Sequence, residues 1–306
     1  MSTNILFYVH YNKFNRLSDH VIFQLEAMRQ IYDEIYLISN SQLSDRDLNS
    51  LANNGLYDHF LQRKNSGYDF CAWSDGIKAY GYDQLDKFDN LTLMNDTCFG
   101  PFWDFKPTFD KFTNKTNVDF WGITNNRSHT VKPENSSSVT LPDHIQSYFV
   151  TFKRQVVISQ SFHDFFANIK VLDDVVQVII QYETAMTKFF EDRGFKSDVL
   201  FDTRKMPWNN MLTHDFSVFN MPALIQRKIP FLKVKAFMIW SMHPQTPLLV
   251  NKLIQESDYP FGLVANHMSV YDYPDRPYLI SYKVLDLPVS IASDKPELKI
   301  AIHLHA

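Results

Sequence analysis

Glycine is scarce in this chain. Of 306 residues only 8 are glycine, and neither G-x-G-x-x-G nor G-x-x-x-x-G-K-[ST] occurs among them, so the backbone turns with which dinucleotide and P-loop sites cradle phosphate are missing. Cysteine is scarcer still: Cys71 and Cys98 are the only two, too few for a disulfide framework or a zinc cluster. No H-E-x-x-H or paired-histidine spacing argues for zinc either, and His303 and His305 stand alone. No apolar run approaches the roughly 18 residues of a membrane span, and no N-terminal stretch has the charged, apolar and small-residue order of a signal peptide. The expectation is a cytosolic protein with reduced thiols. A formal net charge of -4 gives no broad basic field for nucleic acid, so any anionic ligand must be held locally.

What is present is the composition of a globular protein, with 45% hydrophobic and 21% charged residues. The length suits one large domain or two modest ones and allows a sizeable core. Most of the 26 Phe, 15 Tyr and 5 Trp belong in that core, with a few rings to spare for stacking on sugars.

The N-terminal half alternates strand and helix. Asn4 to His10 is a short apolar run, followed by "RLSDHVIFQLEAMRQI", where Val21, Leu25, Met28 and Ile31 recur at helical spacing behind Ser18 or Asp19 as cap. Glu34 to Ser39 reads as a second strand. A third runs from Asp58 into the polar turn "NSGYDF", Trp73 to Tyr80 reads as a helix, and "NLTLMND" is a strand again. This β-α-β-α-β order predicts an α/β fold with a parallel sheet and crossover helices. Such sheets bind ligands at strand C-terminal ends, at a switch point, and that is where "NLTLMNDTCFGP" delivers Asn95 and Asp96.

Two readings of Asp96 stand side by side: a cap on its own turn, as Asx turns make, or a hard oxygen ligand that holds a divalent cation against a diphosphate. Glu183 is informative through its position. Asp173 or Asp174 can cap a helix running to Asp192, and at roughly 100° per residue its apolar arc contains Val175, Val176, Ile179, Ile180, Met186 and Phe190. Glu183 projects inside that arc, between Val176 and Phe190. A carboxylate there is costly unless paired or lining a cavity, and partial desolvation poises a carboxylate for general-base work. The alternative is a buried Glu satisfied by an Arg or by backbone donors.

Between Thr124 and Asp143 the polar stretch "NNRSHTVKPENSSSVTLP" predicts a long structureless loop, either a mobile acceptor lid or disorder. His144, Gln146 and Tyr148, just after it, are candidate contacts to sugar hydroxyls, with a hydrogen-bonded structural histidine as the other reading of His144. "QRKIPFLKVKAF", Gln226 to Phe237, mixes four cations with apolar residues. It fits a face laid against an anionic membrane surface or an ordinary element with a solvated face.

Six blocks of sequence, taken in order, resemble the rhamnan synthesis protein F family: "RKNSGYDFCAW" (Arg63 to Trp73), "LMNDTCFGPF" (Leu93 to Phe102), "DFWGIT" (Asp119 to Thr124), "HIQSYFVTF" (His144 to Phe152), "YETAMTKFFEDRGF" (Tyr182 to Phe195) and "IPFLK" (Ile229 to Lys233). The resemblance covers most of residues 4 to 268. It implies an α/β, GT-A-like nucleotide-diphospho-sugar transferase fold with a mostly parallel central sheet flanked by helices. It also implies a bacterial rhamnosyltransferase of surface or cell-wall polysaccharide synthesis. Residues 1 to 124 would be the nucleotide-binding half, 125 to 143 the mobile loop and 144 to 268 the acceptor half, with 269 to 306 an extension that could begin a truncated second module.

On the same resemblance Asn65, Gly67, Tyr68 and Asp69 face base and ribose, with Gly67 free to take a positive φ and Asp69 able to accept hydroxyl hydrogen bonds. Asn95 and Asp96 take the diphosphate and Lys233 approaches it. The usual Asp-x-Asp turn reads Asn95-Asp96-Thr97 here, one carboxylate short, so Mg²⁺ or Mn²⁺ on Asp96 is a candidate cofactor with less charge to offset dehydration of the ion. Glu183 precedes Gly194-Phe195 as the catalytic base does in similar enzymes, with Thr184 in place of a second acid and Asp143 as the reserve base. The implied partners are dTDP-L-rhamnose or another nucleotide sugar such as a UDP-hexose, a lipid-linked saccharide acceptor and, peripherally, the inner face of the cell membrane. A non-catalytic carbohydrate-binding module is the remaining alternative.

Overall fold

A computed structural model describes residues 2–132, 137–205, 216–237 and 252–268. The strands among them are β1 (Asn4–His10), β2 (Glu34–Ser39), β3 (His59–Gln62), β4 (Asn90–Asn95), β5 (Cys98–Phe99), β6 (Phe120–Asn126), β7 (His129–Val131), β8 (Val139–Leu141), β9 (His144–Ile145), β10 (Phe149–Lys153), β11 (Ser197–Phe201) and β12 (Leu232–Lys233). The helices used below are α1 (Asp19–Arg29), α2 (Asp45–Asn53), α3 (Tyr68–Tyr80), α4 (Lys106–Thr113), α5 (Arg154–Val157), α6 (Gln160–Ala167), α7 (Val175–Val178) and α8 (Thr184–Glu191). The central sheet has the order β11-β6-β10-β4-β1-β2-β3, with β9 on the end of β6. Its strands are parallel except for β10, inserted antiparallel between β4 and β6, and the short β9. This is the mostly parallel, helix-flanked α/β sheet that the sequence predicts.

Both faces of the sheet are covered. Along β1, Leu6 and Tyr8 join the core under α1, α2 and α4, with Val21, Leu25, Leu51 and Phe109. Ile5, Phe7 and Val9 join the core under α3, α6 and α8, with Trp73, Ile77, Phe162 and Phe190. Burial on both faces is why β1, β2 and β4 read as continuous apolar runs rather than alternating ones.

The route of the chain sets the position of the site. Crossovers through α1 and α2 step from β1 to β2 to β3; α3, on the opposite face, returns the chain to the other side of β1, where β4 lies. Right-handed crossovers require that change of face, and it leaves a switch point between the C-terminal ends of β1 and β4.

The structure departs from the sequence reading in four places. α3 begins at Tyr68 rather than Trp73, so Tyr68 and Asp69 are its first turn and not loop. The stretch 125–143 is not structureless: β7 and β8 pair as an antiparallel hairpin, His129 opposite Leu141 and Thr130 opposite Thr140. The helix carrying Glu183 is interrupted by a π-helical turn, Ile179–Glu183. Such a turn fits an extra residue into the helix and shifts the phase of everything before it, which leaves Val175, Val176 and Ile179 exposed by 45%, 42% and 36%. Finally, of the two readings of Gln226 to Phe237 the membrane-facing one loses its apolar surface, because Ile229, Phe231, Leu232, Val234 and Phe237 are core residues, and the ordinary element with a cationic, solvated side is what fits. No helix among the described residues is long and apolar enough to cross a membrane. The expected extension 269–306, with His303 and His305, lies outside the described residues.

Candidate functional site

The switch point holds Asp96. Directly after β1, the Tyr11 N–H donates to Asp96 Oδ2 at 2.9 Å, and the Asp96 N–H donates to the Val9 carbonyl at 3.2 Å. Both contacts tie the acidic turn to the end of β1, where the topology opens a crevice. From the neighbouring residue, Asn95 Nδ2 donates to Asp69 Oδ2 at 2.7 Å, joining the end of β4 to the first turn of α3.

The chain reaches Asp69 through a strained turn. Gly67 has φ of +70° and Tyr68 φ of +54°; a Cβ on Gly67 would lie 2.2 Å from Cys71 Sγ, so only glycine fits. The Tyr68 hydroxyl donates to the Asp173 carbonyl at 3.1 Å, docking this turn onto the approach to α7. Asn65 is exposed beside it. Below the turn, Arg63 donates from Nη2 to the Ser66 carbonyl at 2.8 Å, from Nη1 to Asn40 Oδ1 at 2.7 Å and from Nε to Asp75 at 3.0 Å. All three guanidinium nitrogens are thereby committed to the protein.

Glu183 completes the group. It ends the π turn, and its Oε1 accepts from the Ser147 N–H at 3.1 Å. The next carbonyl, that of Tyr148, accepts from the Asn95 N–H at 3.2 Å, so one short stretch of backbone links Glu183 to the end of β4. Burial pushes the Asp69 carboxyl up to about 6; the Glu183 charge adds to the rise, while the Asn95 hydrogen bond and Arg63 oppose it. Two carboxylates thus share one half-buried place at the strand ends, a juxtaposition characteristic of functional sites.

The other expected residues divide. Lys233 is brought close: β12 pairs with β5 so that Lys233 lies opposite Cys98, and its Nζ sits 5.7 Å from the centre of the Tyr148 ring. His144, Gln146 and Tyr148, the candidate contacts to sugar hydroxyls, are buried, and for His144 the hydrogen-bonded structural reading fits. Gln146 and Tyr148 both bond Thr124 Oγ1, and His144 Nδ1 bonds the Pro142 carbonyl at 2.9 Å. Burial holds the His144 imidazole below its usual range, with the Glu183 charge opposing. The Gln146 and Tyr148 side chains thus tie the segment between β9 and β10 to β6, while the His144 bond is local. Asp143 is exposed at the foot of the hairpin, its Oδ1 accepting from the Ser128 N–H at 2.6 Å, a structural position. Ser147, Tyr11 and Arg63 act here without having been singled out. The first two work through backbone N–H groups that no side chain advertises, and Arg63 opens a family block.

The donors around Asp96 do not fit a tightly held Mg²⁺ or Mn²⁺. Asn95 Oδ1, standing where a second carboxylate would be, already accepts from Thr97 N at 3.2 Å and Thr97 Oγ1 at 2.6 Å. No group of three or more His, Cys, Asp and Glu side chains that could hold a metal ion is found among the described residues, whereas a dedicated Mg²⁺ site fills an octahedral shell with oxygens.

Fold and site together define an α/β protein with carboxylates gathered at its switch point. The family model for rhamnan synthesis protein F matches residues 35–306, and the chain belongs to that family. Among curated proteins it is 29% identical over 180 residues to the uncharacterized protein y4gN of Sinorhizobium fredii, covering 58% of this chain and 44% of that protein. It is 24% identical over 182 residues to the virulence protein VirA of Vibrio anguillarum, covering 58% of this chain and 54% of that protein. The chain therefore spans about half the length of the curated relatives it matches. Among solved structures, the inositol-1-phosphate CTP transferase of T. maritima overlaps with a TM-score of 0.44 at 8% identity, over 85% of this chain and 99% of that one.

Proposed function

We propose that this protein is an inverting glycosyltransferase of rhamnan synthesis that moves L-rhamnose from dTDP-L-rhamnose to a saccharide acceptor. The observation that carries the reading is the placement of Asp69, Asn95 and Asp96 at the switch point with Glu183 beside them; family membership supplies the sugar. The nucleotide lies over the ends of β1 to β3, with Asp69 accepting from ribose hydroxyls. The diphosphate lies at the Asn95-Asp96 turn with Lys233 on its far side.

The Ser147 N–H fixes the Glu183 carboxylate, which takes the proton of an acceptor hydroxyl. The acceptor oxygen forms a bond to the anomeric carbon from the face opposite the diphosphate. The bond from that carbon to the diphosphate oxygen breaks, and its electron pair leaves with the diphosphate. A β-linked donor so becomes an α-rhamnoside. Positioning of donor and acceptor, with stabilisation of the departing charge, supplies most of the acceleration.

The test is incubation with dTDP-L-rhamnose, UDP-glucose and UDP-galactose in the presence of a rhamnose-terminated acceptor, with products read by mass spectrometry and the new linkage by NMR. Transfer from dTDP-L-rhamnose alone, with an α linkage, is the expected result. Preferential transfer from a UDP-hexose would replace the donor, and a retained β linkage would overturn the mechanism.

A further inference from the structure

Two polar side chains of α1 are buried against the acidic turn. His20 and Gln24 stand one helical turn apart, where side chains share a face, and their exposures are 1% and 0%. His20 Nε2 lies 3.4 Å from the Asp96 carbonyl. Gln24 Nε2 donates to the Cys98 carbonyl at 2.6 Å. Both donors thus meet the backbone of the segment that follows β4.

Each of them is itself held in one orientation. The Tyr8 hydroxyl donates to Gln24 Oε1 at 2.6 Å, which turns the amide so that its nitrogen faces Cys98. Burial, reinforced by His267 and His10, holds the His20 imidazole well below its usual range, with the Asp96 carbonyl opposing. The ring is therefore neutral and has a single N–H. A carbonyl can only accept, so that hydrogen is on Nε2 and goes to Asp96, and Nδ1 has no partner among the described residues. The ring meets Phe99 and His267 edge to face, with centres 5.1 and 4.4 Å away. His267 Nδ1 in turn lies 2.8 Å from Ser18 Oγ.

Anchoring α1 to the sheet does not require this arrangement. Val21, Leu25 and Met28 already place the helix in the core. Ser18 stands at the N-cap position but makes no side-chain capping bond, although a capping serine stabilises a helix. A buried imidazole and amide are costlier than apolar side chains, and the unpartnered Nδ1 adds to that cost. The return is a fixed turn. Asp96 is already held through its N–H by the Val9 carbonyl and through Oδ2 by the Tyr11 N–H, and His20 holds it by a third group. Gln24 holds β5 at Cys98, the residue opposite Lys233 in the pairing of β5 with β12.

We infer that His20 and Gln24 are positioning residues, a two-point clamp from α1 that sets Asp96 and, through β5, Lys233 for the diphosphate of the donor. The identity of that ligand rests on the function proposed above; the clamp rests on the hydrogen bonds.

The experiment compares four variants of the full chain. His20→Phe keeps a ring and loses the N–H, His20→Gln returns an amide N–H on a side chain of similar reach, and Gln24→Met removes the second donor. Val21→Ala, which thins the core under α1 and touches neither carbonyl, is the control. Calorimetry reads the dissociation constant for dTDP, and NMR reads hydrogen exchange at the Tyr11 and Asp96 amides. His20→Phe and Gln24→Met should each weaken dTDP binding about tenfold and speed exchange at those amides about tenfold. His20→Gln should stay within about threefold of wild type on both measures. Val21→Ala should lower the urea midpoint at an unchanged dissociation constant. Wild-type behaviour of His20→Phe and Gln24→Met, or equal losses of affinity in Val21→Ala, would overturn the inference. Faster exchange at unchanged affinity would make the contacts merely structural and overturn it as well. Exchange needs no ligand, so a wild-type protein that binds no dTDP, with a turn that loosens in the variants, would refute the nucleotide-sugar reading and leave the clamp standing.

Discussion

Asn95 donates from Nδ2 to Asp69 Oδ2 at 2.7 Å, so the last residue of β4 and the first turn of α3 are held by one side-chain hydrogen bond. The two partners stand at either end of one crossover, α3 at its start and the C-terminal end of β4 at its finish, and the bond closes that unit beside the switch point between β1 and β4. The site is therefore a product of topology, and its chemistry can be probed through either partner.

The carboxyl of Asp69 is pushed up to about 6, mainly by burial, from an ordinary value near 3.9 in an unfolded chain. A folded state that holds its proton more tightly than the unfolded one is favoured at low pH, and that contribution is lost as pH rises through the folded value. Stability should therefore fall between about pH 4 and 6 by about 3 kcal/mol attributable to this group, roughly two pH units at about 1.4 kcal/mol each. Asp69→Asn should flatten the curve across that window. Urea unfolding of both proteins at half-unit pH steps measures the difference, and parallel curves would show that Asp69 is not the titrating group.

Glu183→Gln keeps the shape of the side chain and can still accept from the Ser147 N–H, but an amide cannot take a proton. Transfer should fall by about 10²–10⁴, while the dissociation constant for the donor stays within about twofold because the base acts on the acceptor hydroxyl and not on the nucleotide. Single-turnover transfer and equilibrium titration separate the two quantities. Wild-type rates in the variant would remove Glu183 from the chemistry.

How much of this was legible in the sequence differs from element to element. The limits of β1 and β2 fall where the apolar runs end, at Asn4–His10 and Glu34–Ser39, because a parallel strand buried on both faces writes itself as one uninterrupted run. Asp96 at the switch point follows from the β-α-β order alone. The exposure of Val175, Val176 and Ile179 does not. It depends on a π turn, one extra residue in a helix whose composition is unremarkable, and regular periodicity assigns those residues to the core. His144, Gln146 and Tyr148 look like ligand contacts by type, yet Gln146 and Tyr148 converge on Thr124, more than twenty positions earlier in the chain, a pairing no local pattern reveals.

Two glycines with similar backbones make a controlled comparison. Gly55 has φ of +64° and open space where a Cβ would go, whereas at Gly67, with φ of +70°, that Cβ would lie 2.2 Å from Cys71 Sγ. Gly55→Ala should cost about 1 kcal/mol for the left-handed backbone alone. Gly67→Ala should cost roughly 3 kcal/mol, since the crowding adds to the backbone term, and should weaken donor binding as well by displacing Asp69. Urea midpoints and donor titrations check both. Equal losses at the two positions would mean that the turn relaxes easily and does not position Asp69.

Arg63 touches no substrate in this scheme, since all three of its nitrogens are taken up by Asp75, Asn40 and the Ser66 carbonyl. Its part is to hold the turn that leads through Gly67 to Asp69, between the end of β3 and the start of α3. A lysine keeps the charge but has one nitrogen in place of a planar fork, so it cannot bridge three acceptors spread over that distance. Arg63→Lys should lower stability by about 1–2 kcal/mol through the lost hydrogen bonds. The discriminating measurement is kinetic: with the turn loosened, the KM for the nucleotide sugar should rise roughly tenfold while kcat stays within about twofold, because Glu183 and the acceptor side are untouched. A residue that merely stabilised the fold would reduce the fraction of active protein, seen as a lower apparent kcat at unchanged KM, and that pattern would reject Arg63 as a positioning residue.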